Sequence, residues 1–472
     1  MRNLLIADRR PAGAGAIRVI EPARGEPFEE VAAAGPAELD AAVTAAKRAF
    51  PAWADRTAFQ RAEVLFAFAD RVRAHAEELA RLEARNVGKP IGDARWEANH
   101  VADTLRYYAG AADKHLGETI PVKKGGLDIT LRVPLGVVGL IVPWNFPMVI
   151  ATWKVAPALA CGNTVVLKPA SLTPLSALRL GELALEAGLP PGVLNVVPGP
   201  GAAIGAALAS HPDVAKIGFT GETATGRAIM VAAAQTIKRI GLELGGKSPC
   251  IVFGDADVEQ AATEAAASVF ANAGQDCCAR SRTIVERTIY PQFVEAMRNA
   301  AQRTVVGDPL DEQTQMGPVI STHQREVTET YLALGKKDGA RLVCGGERIS
   351  GPGYFLRPAV FADAKPGMRI VDEEIFGPVA SIIPFDTEDE AVAIANDTIY
   401  GLSGSLFTND LKRGLRVARA VQTGVMSVNS SSSVHLQAPF GGFKQSGLGR
   451  ELGMHALDHY SEIKNIYFET AP

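Results

Sequence analysis

The chain has 472 residues, of which 47% are hydrophobic and 21% charged, and its formal net charge at pH 7 is −4. This length is too great for one hydrophobic core, so two or three domains are expected. The slightly acidic balance gives no electrostatic footprint for nucleic acid or an anionic membrane, so small molecules are the expected partners.

Cysteine usage and hydropathy predict where the protein is found. The five cysteines are odd in number and form no Cys-x-x-Cys pair, which favours a reducing compartment. The N-terminus lacks the apolar segment of a secretory signal. The most apolar run, Leu135–Cys161, is interrupted by prolines, Asn145 and Lys154, which argues against a membrane span. We therefore expect a soluble, cytoplasmic protein.

The first third of the chain predicts helices and then an exposed strand. From Pro36 to about Leu116 the sequence is rich in alanine, with apolar residues at three- and four-residue spacing, as in amphipathic helices. Leu127–Val133 alternates apolar and polar residues, which is typical of an exposed antiparallel strand.

A regular alternation of strands and helices follows. Four apolar runs are separated by helical segments such as Ser176–Ala187 and Ile204–Ser210, and this rhythm predicts βαβ units on a doubly wound parallel sheet that binds a dinucleotide. The runs are Val137–Val142, Thr164–Leu167, Val193–Val197 and Lys216–Phe219.

After Gly254 the alternation begins again, which predicts a second α/β domain. Its helices are expected at Val258–Ala273 and Pro291–Arg303, and its strands at Arg282–Val285, Val379–Pro384 and Val425–Val428. The tail closes with a predicted strand at Ile463–Phe468. The predicted division is a dinucleotide-binding domain at 1–111 and 134–244, a catalytic domain at 245–438, and a hairpin and tail at 112–133 and 439–472.

The most informative segment is Asn272–Arg282, NAGQDCCARSR, which places Cys277 among small and polar residues. Such surroundings let a substrate and backbone N–H groups approach a thiol, as nucleophilic catalysis requires. A buried structural cysteine is the alternative, and it would be the better interpretation for a lone cysteine with apolar flanks.

The segment Gly241–Ser248, GLELGGKS, satisfies the phosphate-loop pattern, so a nucleoside triphosphatase is a competing hypothesis. A phosphate loop needs a helix to begin at its Lys-Ser pair. Here Pro249 and a short, buried strand predicted at Cys250–Gly254 follow instead, which argues against that hypothesis.

Two further patterns suggest a bound nucleotide. Gly218–Gly221 follows a predicted strand and precedes Gly226, so its backbone could approach phosphate. Lys168–Ser171 lies at the carboxyl end of another strand, where α/β sheets bind ligands. No metal site is predicted.

These segments together resemble the aldehyde dehydrogenase superfamily, in its non-acylating, hydrolytic form. The resemblance covers nearly the whole chain. It rests on PWNFP at 143–147, ELGGKSP at 243–249, GQDCC at 274–278, EIFGPV at 374–379 and PFGGFKQSG at 439–447.

The resemblance implies a role for five residues in the chemistry. Cys277 would be the nucleophile and Glu243 the general base for hydrolysis. The Asn145 side chain and the Cys277 backbone N–H would bind the oxyanion, and Lys154 and Glu462 would connect to Glu243 in a proton relay.

The resemblance also implies the cofactor, NAD or NADP, and the residues around it. Lys168 would bind the adenosine ribose, Glu374 the nicotinamide ribose, and Phe376 would hold the nicotinamide ring. Ser171 replaces the glutamate that NAD-preferring members usually carry, which predicts that NADP is also accepted. The remaining cofactor positions are Trp144, Gly221, Glu222, Gly226 and Leu244.

By family position, the substrate pocket is formed by Phe146, Ile150, Trp153, Asp276, Cys278, Val434 and Phe440. Asp276 either faces the substrate and favours a cationic aminoaldehyde, or caps a local backbone N–H or pairs with a nearby arginine. The substrate could thus be an aminoaldehyde or semialdehyde.

The predicted reaction is oxidation of an aldehyde to a carboxylate through a thiohemiacetal and a thioester on Cys277. Two alternatives remain: an acylating enzyme that passes the thioester to coenzyme A, and a catalytically silent, ligand-binding member of the fold. The hairpin and tail would mediate assembly into a homodimer or homotetramer.

Overall fold

The computed structural model of the protein describes residues 1–123, 125–432 and 434–470. Its strands are β1 (Gly15–Glu21), β2 (Glu26–Ala33), β3 (Thr119–Ile120), β4 (Gly126–Pro134), β5 (Val137–Ile141), β6 (Thr164–Lys168), β7 (Leu194–Val196), β8 (Lys216–Thr220), β9 (Arg239–Glu243), β10 (Pro249–Val252), β11 (Arg282–Glu286), β12 (Arg341–Cys344), β13 (Ala359–Ala362), β14 (Val379–Phe385), β15 (Ser403–Phe407), β16 (Val425–Val428), β17 (Gly447–Leu448) and β18 (Ser461–Glu469).

The helices are α1 (Pro36–Ala54), α2 (Ala58–Ala74), α3 (Ala76–Val87), α4 (Ile91–Ala111), α5 (Pro147–Ala160), α6 (Leu175–Glu186), α7 (Ala206–Ser210), α8 (Thr223–Ala234), α9 (Val258–Phe270), α10 (Tyr290–Arg303), α11 (Thr322–Lys337), α12 (Arg369–Asp372), α13 (Glu388–Asn396), α14 (Leu411–Ala420) and α15 (His455–Asp458). A π-helical turn at Gly201–Gly205 precedes α7, and short 3₁₀ segments lie at Ala271–Gly274 and Lys444–Ser446.

The predicted N-terminal helices are confirmed as α1 to α4. Thr57 begins α2 with a capping box, in which its hydroxyl accepts from the Gln60 N–H. Gly88 ends α3 with φ 92°, a left-handed conformation that glycine adopts without the steric cost a side chain would add. The apolar faces of α2, α4 and α5 pack into one core.

The predicted doubly wound sheet is confirmed. Its spatial order is β17-β9-β8-β5-β6-β7, with the strands from β9 to β7 parallel and β17 antiparallel at the edge. The tail thus contributes a strand to this sheet, a role that the sequence did not predict. The carboxyl ends of β5, β6, β8 and β9 meet at one edge, where such sheets bind ligands.

The second α/β unit contains a seven-stranded sheet in the order β12-β13-β14-β11-β10-β15-β16. All neighbours in it are parallel except β12 and β13. The predicted helix Val258–Ala273 ends at Phe270, because Asn272 and Ala273 adopt left-handed backbone conformations that no right-handed helix accommodates.

A small antiparallel sheet, β18-β4-β3, completes the α/β fold that was predicted. The strand predicted at Leu127–Val133 is β4, and it pairs with β18 from Pro134 to Gly126. Within the described residues, no helix combines the length and the apolar character needed to cross a membrane.

Candidate active site

The loop that carries Cys277 begins with a strained turn. Asn272, Ala273 and Gly274 have φ values of 48°, 55° and 74°. A side chain on Gly274 would place its Cβ 2.1 Å from the carbonyl oxygen of Gly377, so only glycine fits there. Left-handed non-glycine residues cost about 1–3 kcal/mol each and concentrate at functional sites.

The Cys277 thiol is partly buried beside the buried Cys278. A hydrogen bond with the Cys278 thiol, burial and the nearby Asp276 carboxylate raise the pKa of Cys277 well above its usual value. A thiol in such surroundings keeps its proton at neutral pH, so it must lose that proton before its sulfur can act as a nucleophile.

Asn145 supplies a side-chain amide next to this loop. It follows β5, and its Nδ2 donates to the backbone carbonyl of Gln275 at 2.9 Å. An amide nitrogen carries two hydrogens, so one remains for another acceptor. The Cys277 backbone N–H also has no acceptor among the described residues. These two donors can bind a developing oxyanion.

Glu243 is the last residue of β9, at the same edge of the sheet. It is 5% exposed, and its Oε2 has no hydrogen-bond partner within the described parts of the chain. Burial, followed by the charge of Glu451, raises the pKa of Glu243 well above its usual value. A carboxyl group with a raised pKa is suited to general-base catalysis near neutral pH.

The predicted relay is wrong in one member, Glu462. Its carboxylate lies on the exposed strand β18, where it forms an ion pair with Arg239. The buried ammonium of Lys154 pairs instead with Glu451, at 2.5 Å. Glu462 cannot join the buried group, because β18 pairs with β4 and its charged residue stays in solvent. Nothing in a single sequence distinguishes these two glutamates of the tail.

The residues predicted to bind the adenosine end lie at or just after the carboxyl ends of β6 and β8. Lys168 is 3% exposed, and burial without an ionic partner among the described residues lowers its pKa to about 8. The Ser171 hydroxyl donates to the Gly199 carbonyl at 2.9 Å. The buried Thr220 hydroxyl has no partner in the described chain. Such unsatisfied polar groups fit the hydroxyls and phosphates of a dinucleotide.

Helix α8 packs closely against the segment that follows β9. A Cβ on Gly226 would lie 2.6 Å from Leu244, so α8 packs directly against the chain that leaves β9. Gly221 begins the turn after β8, and Glu222 is the exposed residue before α8. This packing places the N-terminus of α8 at the edge where phosphate groups are stabilised.

Glu374 and Phe376 lie in the segment between α12 and β14. Glu374 Oε1 accepts from the Gly246 N–H at 3.1 Å, and burial raises its pKa to about 7. Phe376 adopts φ 56°, and its ring meets that of Trp144 edge to face at 5.2 Å. An acidic group beside two aromatic rings fits a nicotinamide riboside. The described residues therefore fit NAD or NADP.

The predicted pocket residues are brought together around α5. Ile150, Trp153 and Phe440 are buried, and the Trp153 and Phe440 rings meet at 5.3 Å. Phe146, Cys277 and Val434 pack against the core cluster that contains Cys278.

His100, which was not predicted from the sequence, lies next to Trp153 of the predicted substrate pocket. His100 Nε2 accepts from the Trp153 indole at 3.2 Å, and the exposed Trp96 stacks on the His100 ring at 4.8 Å. The spacing of apolar residues in α4 predicts the helix but does not single out His100 or Trp96, because spacing alone does not show which face of a helix meets a ligand.

Asp276, Cys277 and Cys278 are grouped closely enough, within 4.8 Å, to hold a metal ion. Because these three residues are consecutive in the chain, their closeness follows from sequence adjacency and does not by itself indicate a metal site. His455 and His459 are four residues apart, a spacing that can bind metal. However, His459 Nε2 already accepts from the Arg450 backbone N–H at 3.0 Å.

Comparison with known proteins identifies the family. Residues 10–466 match the model of the aldehyde dehydrogenase family. The chain is 46% identical to retinal dehydrogenase 2 of Mus musculus over 453 residues, covering 95% of this chain and 88% of that protein. It is 47% identical to the mitochondrial aldehyde dehydrogenase family 2 member B4 of Arabidopsis thaliana over 451 residues, covering 95% and 84% of the two chains.

The fold gives the same answer. Betaine aldehyde dehydrogenase of Staphylococcus aureus, solved in complex with NAD+, superposes with a TM-score of 0.98 at 38% identity, covering 100% of this chain and 96% of that one. The chain therefore belongs to the aldehyde dehydrogenase family, and it is an enzyme that oxidises aldehydes with NAD or NADP.

Proposed function

We propose that Cys277 captures the aldehyde, Asn145 stabilises the oxyanion and Glu243 hydrolyses the resulting thioester. The main support for this proposal is the geometry of the Cys277 loop. Cys277, whose backbone N–H has no acceptor among the described residues, follows closely after Gln275, whose carbonyl accepts from the Asn145 amide. The buried Glu243 carboxyl ends β9, and the carboxyl ends of β9 and β5 share one sheet edge.

The steps follow from these groups. The Cys277 thiol gives its proton to solvent water and its sulfur attacks the carbonyl carbon, so the carbonyl oxygen becomes an oxyanion held by the two donors. When bound, the dinucleotide supplies the acceptor for the hydride that leaves the same carbon. Cys277 then carries a thioester, and Glu243 takes a proton from the water that attacks it, which releases the carboxylate and the free thiol. Removal of one oxyanion donor costs about 3 kcal/mol of transition-state stabilisation in comparable sites.

Hydrolysis is preferred over transfer to coenzyme A because Glu243 is present and buried with a raised pKa. The test is a panel of aldehydes assayed by absorbance of the reduced cofactor, with NAD and NADP each in turn and with the product identified. A free carboxylate in the absence of coenzyme A is expected. A product that forms only as an acyl thioester of added coenzyme A would overturn the proposal.

Ser171→Glu is expected to raise the KM for NADP selectively. The substituted carboxylate would repel the 2′-phosphate and could accept from a 2′-hydroxyl, whereas Ser171 repels neither cofactor. We therefore propose that the native enzyme accepts NADP at least comparably to NAD. KM values for both cofactors check this, with Ser171→Gln as a control of similar length but no charge. An unchanged NADP/NAD preference in Ser171→Glu would rule the idea out.

For Asp276 we propose the capping role. Its Oδ1 accepts from the Cys278 backbone N–H at 2.8 Å, as short acids in tight loops commonly do. Burial raises the pKa of Asp276, and its carboxylate forms no direct ion pair within the described residues.

Asp276→Asn keeps the Oδ1 acceptor, so its effect should be equal for charged and neutral substrates. The measurement is kcat/KM for an aminoaldehyde and for a neutral aldehyde of equal length, in both proteins. A selective fall for the aminoaldehyde would show instead that Asp276 faces the substrate and would assign the enzyme to aminoaldehydes.

We further propose a cytoplasmic homo-oligomer, a homodimer or homotetramer, assembled through the β18-β4-β3 sheet. Several large apolar side chains of this sheet are exposed, including Leu127, Ile463 and Phe468. Unpartnered apolar surface of this kind is typical of an interface. The five cysteines are free, which suits a reducing compartment. The mass in solution, measured by light scattering, tests the assembly.

A further inference from the structure

A buried charged cluster lies directly behind the oxyanion donor. Lys89, two residues before α4, is only 1% exposed. Its ammonium pairs with Glu97 and donates to the backbone carbonyl of Asn145 at 3.0 Å. The same ammonium lies 4.3 Å from the centre of the Phe146 ring. One cation thus contacts two consecutive residues of the loop between β5 and α5.

The acidic side of the cluster is buried as well. Glu97 lies on α4, and Glu83 on α3 accepts from the Met148 N–H at 3.3 Å. Each of these carboxyl groups has a second oxygen with no partner in the described chain. Burial raises the pKa of Glu97 to about 8 and also raises that of Glu83.

Stability alone does not explain this arrangement. Removing charges from water is costly, and a buried ion pair replaced by packed apolar groups is often as stable or more so. The groups that these charges contact are the loop carbonyl, the Phe146 ring and the start of α5. All of these contacts act on the position of the loop.

The loop is held from three directions. The Asn145 carbonyl accepts from Lys89 and also from Asn272 Nδ2, at 3.1 Å. The Asn145 side-chain amide donates to Gln275. Asn272 and Gln275 belong to the Cys277 loop, so they link Asn145 to the nucleophile. Lys89 is the contact that fixes this linked pair of loops to the helical layer.

We infer that Lys89 is a positioning residue that holds Asn145 where its amide can reach the oxyanion. This inference rests on the proposed role of Asn145 as the oxyanion donor. A misplacement of about 1 Å at a catalytic group can lower the rate by about 100-fold, so loss of the Lys89 contact should be visible in the chemical step.

The test is a double-mutant cycle between Lys89 and Asn145. Lys89→Met alone would leave the buried carboxyl groups of Glu83 and Glu97 without a cation. The Lys89→Met substitution is therefore made in a Glu97→Gln protein, and the Glu97→Gln single variant is the reference. The kcat/KM for one aldehyde is measured for Glu97→Gln with and without Lys89→Met, and for both again with Asn145→Ala. Lys89→Arg in the native protein gives a second route, because it keeps the buried positive charge.

With Asn145 present, Lys89→Met should lower kcat/KM by about 10- to 100-fold, and Lys89→Arg should lower it by less. In Asn145→Ala proteins, either substitution should have little further effect, because the group being positioned is already gone. Alkylation of Cys277 by iodoacetamide should keep its rate, since that reaction forms no oxyanion. Lys238→Met, which also removes a lysine bonded to a backbone carbonyl, controls for general destabilisation.

The outcomes separate the two proposals. If Lys89 substitutions lower activity equally with and without Asn145, or slow alkylation as much as turnover, Lys89 is only structural and the inference is wrong. If Asn145→Ala itself retains full activity, the proposed oxyanion role fails first. A fall in Asn145→Ala with no change in either Lys89 variant would overturn the Lys89 inference alone.

Discussion

Cys277→Ala is expected to abolish aldehyde oxidation, with a loss on the order of 10⁴-fold or more, while dinucleotide binding survives. Covalent capture needs the sulfur, and no other group at the site can replace it. The residues proposed to hold the adenosine end of the dinucleotide lie on or beside β6, β8 and α8, none of which contains Cys277. Turnover is followed by reduced-cofactor absorbance, and binding by quenching of protein fluorescence.

Cys278→Ala is the matched control, because Cys278 is the adjacent thiol. It should remain active, because Cys278 is a buried member of the core cluster and Cys277 is the proposed nucleophile. A dead Cys278 variant beside a normally active Cys277 variant would show that the nucleophile is misassigned.

Glu243→Gln is expected to separate the two halves of the reaction. An amide cannot accept a proton from water, so deacylation should slow by about 10²- to 10⁴-fold, while capture and hydride loss continue. Rapid mixing should then show a burst of reduced cofactor followed by a slow steady state. Loss of the burst would mean that Glu243 acts earlier and takes the proton of the Cys277 thiol.

The pH dependence provides a second measurement on the same variant. Glu243 must be ionised to act as a base, and burial and Glu451 raise its pKa. The native steady-state rate should therefore be low below this raised pKa and increase as pH rises through it. In Glu243→Gln this acid limb should disappear from the steady state, because glutamine does not titrate. If the acid limb of the pH profile is unchanged in Glu243→Gln, the limb reports the ionisation of a group other than Glu243.

The amino-acid sequence by itself determined the fold class and the family, and it supplied candidates for the reacting groups. Apolar runs four to six residues long, separated by helical segments, have few solutions other than a covered parallel sheet, and β5, β6, β7 and β8 lie where those runs predicted. The small and polar flanks of Cys277 are a local property, so they could be recognised without coordinates. The phosphate-loop hypothesis could also be rejected from the local sequence, and β10 lies where a strand was expected after Ser248.

Only the tertiary structure decided which charges meet. Glu451 and Glu462 are both glutamates of the tail, yet one pairs with the buried Lys154 and the other with the exposed Arg239. Lys89 is far from Asn145 in sequence, and its contact with the Asn145 carbonyl exists because α4 packs on α5. Ionic and hydrogen-bond partners of this kind are set by packing between distant segments. Local periodicity and propensity carry no information about them.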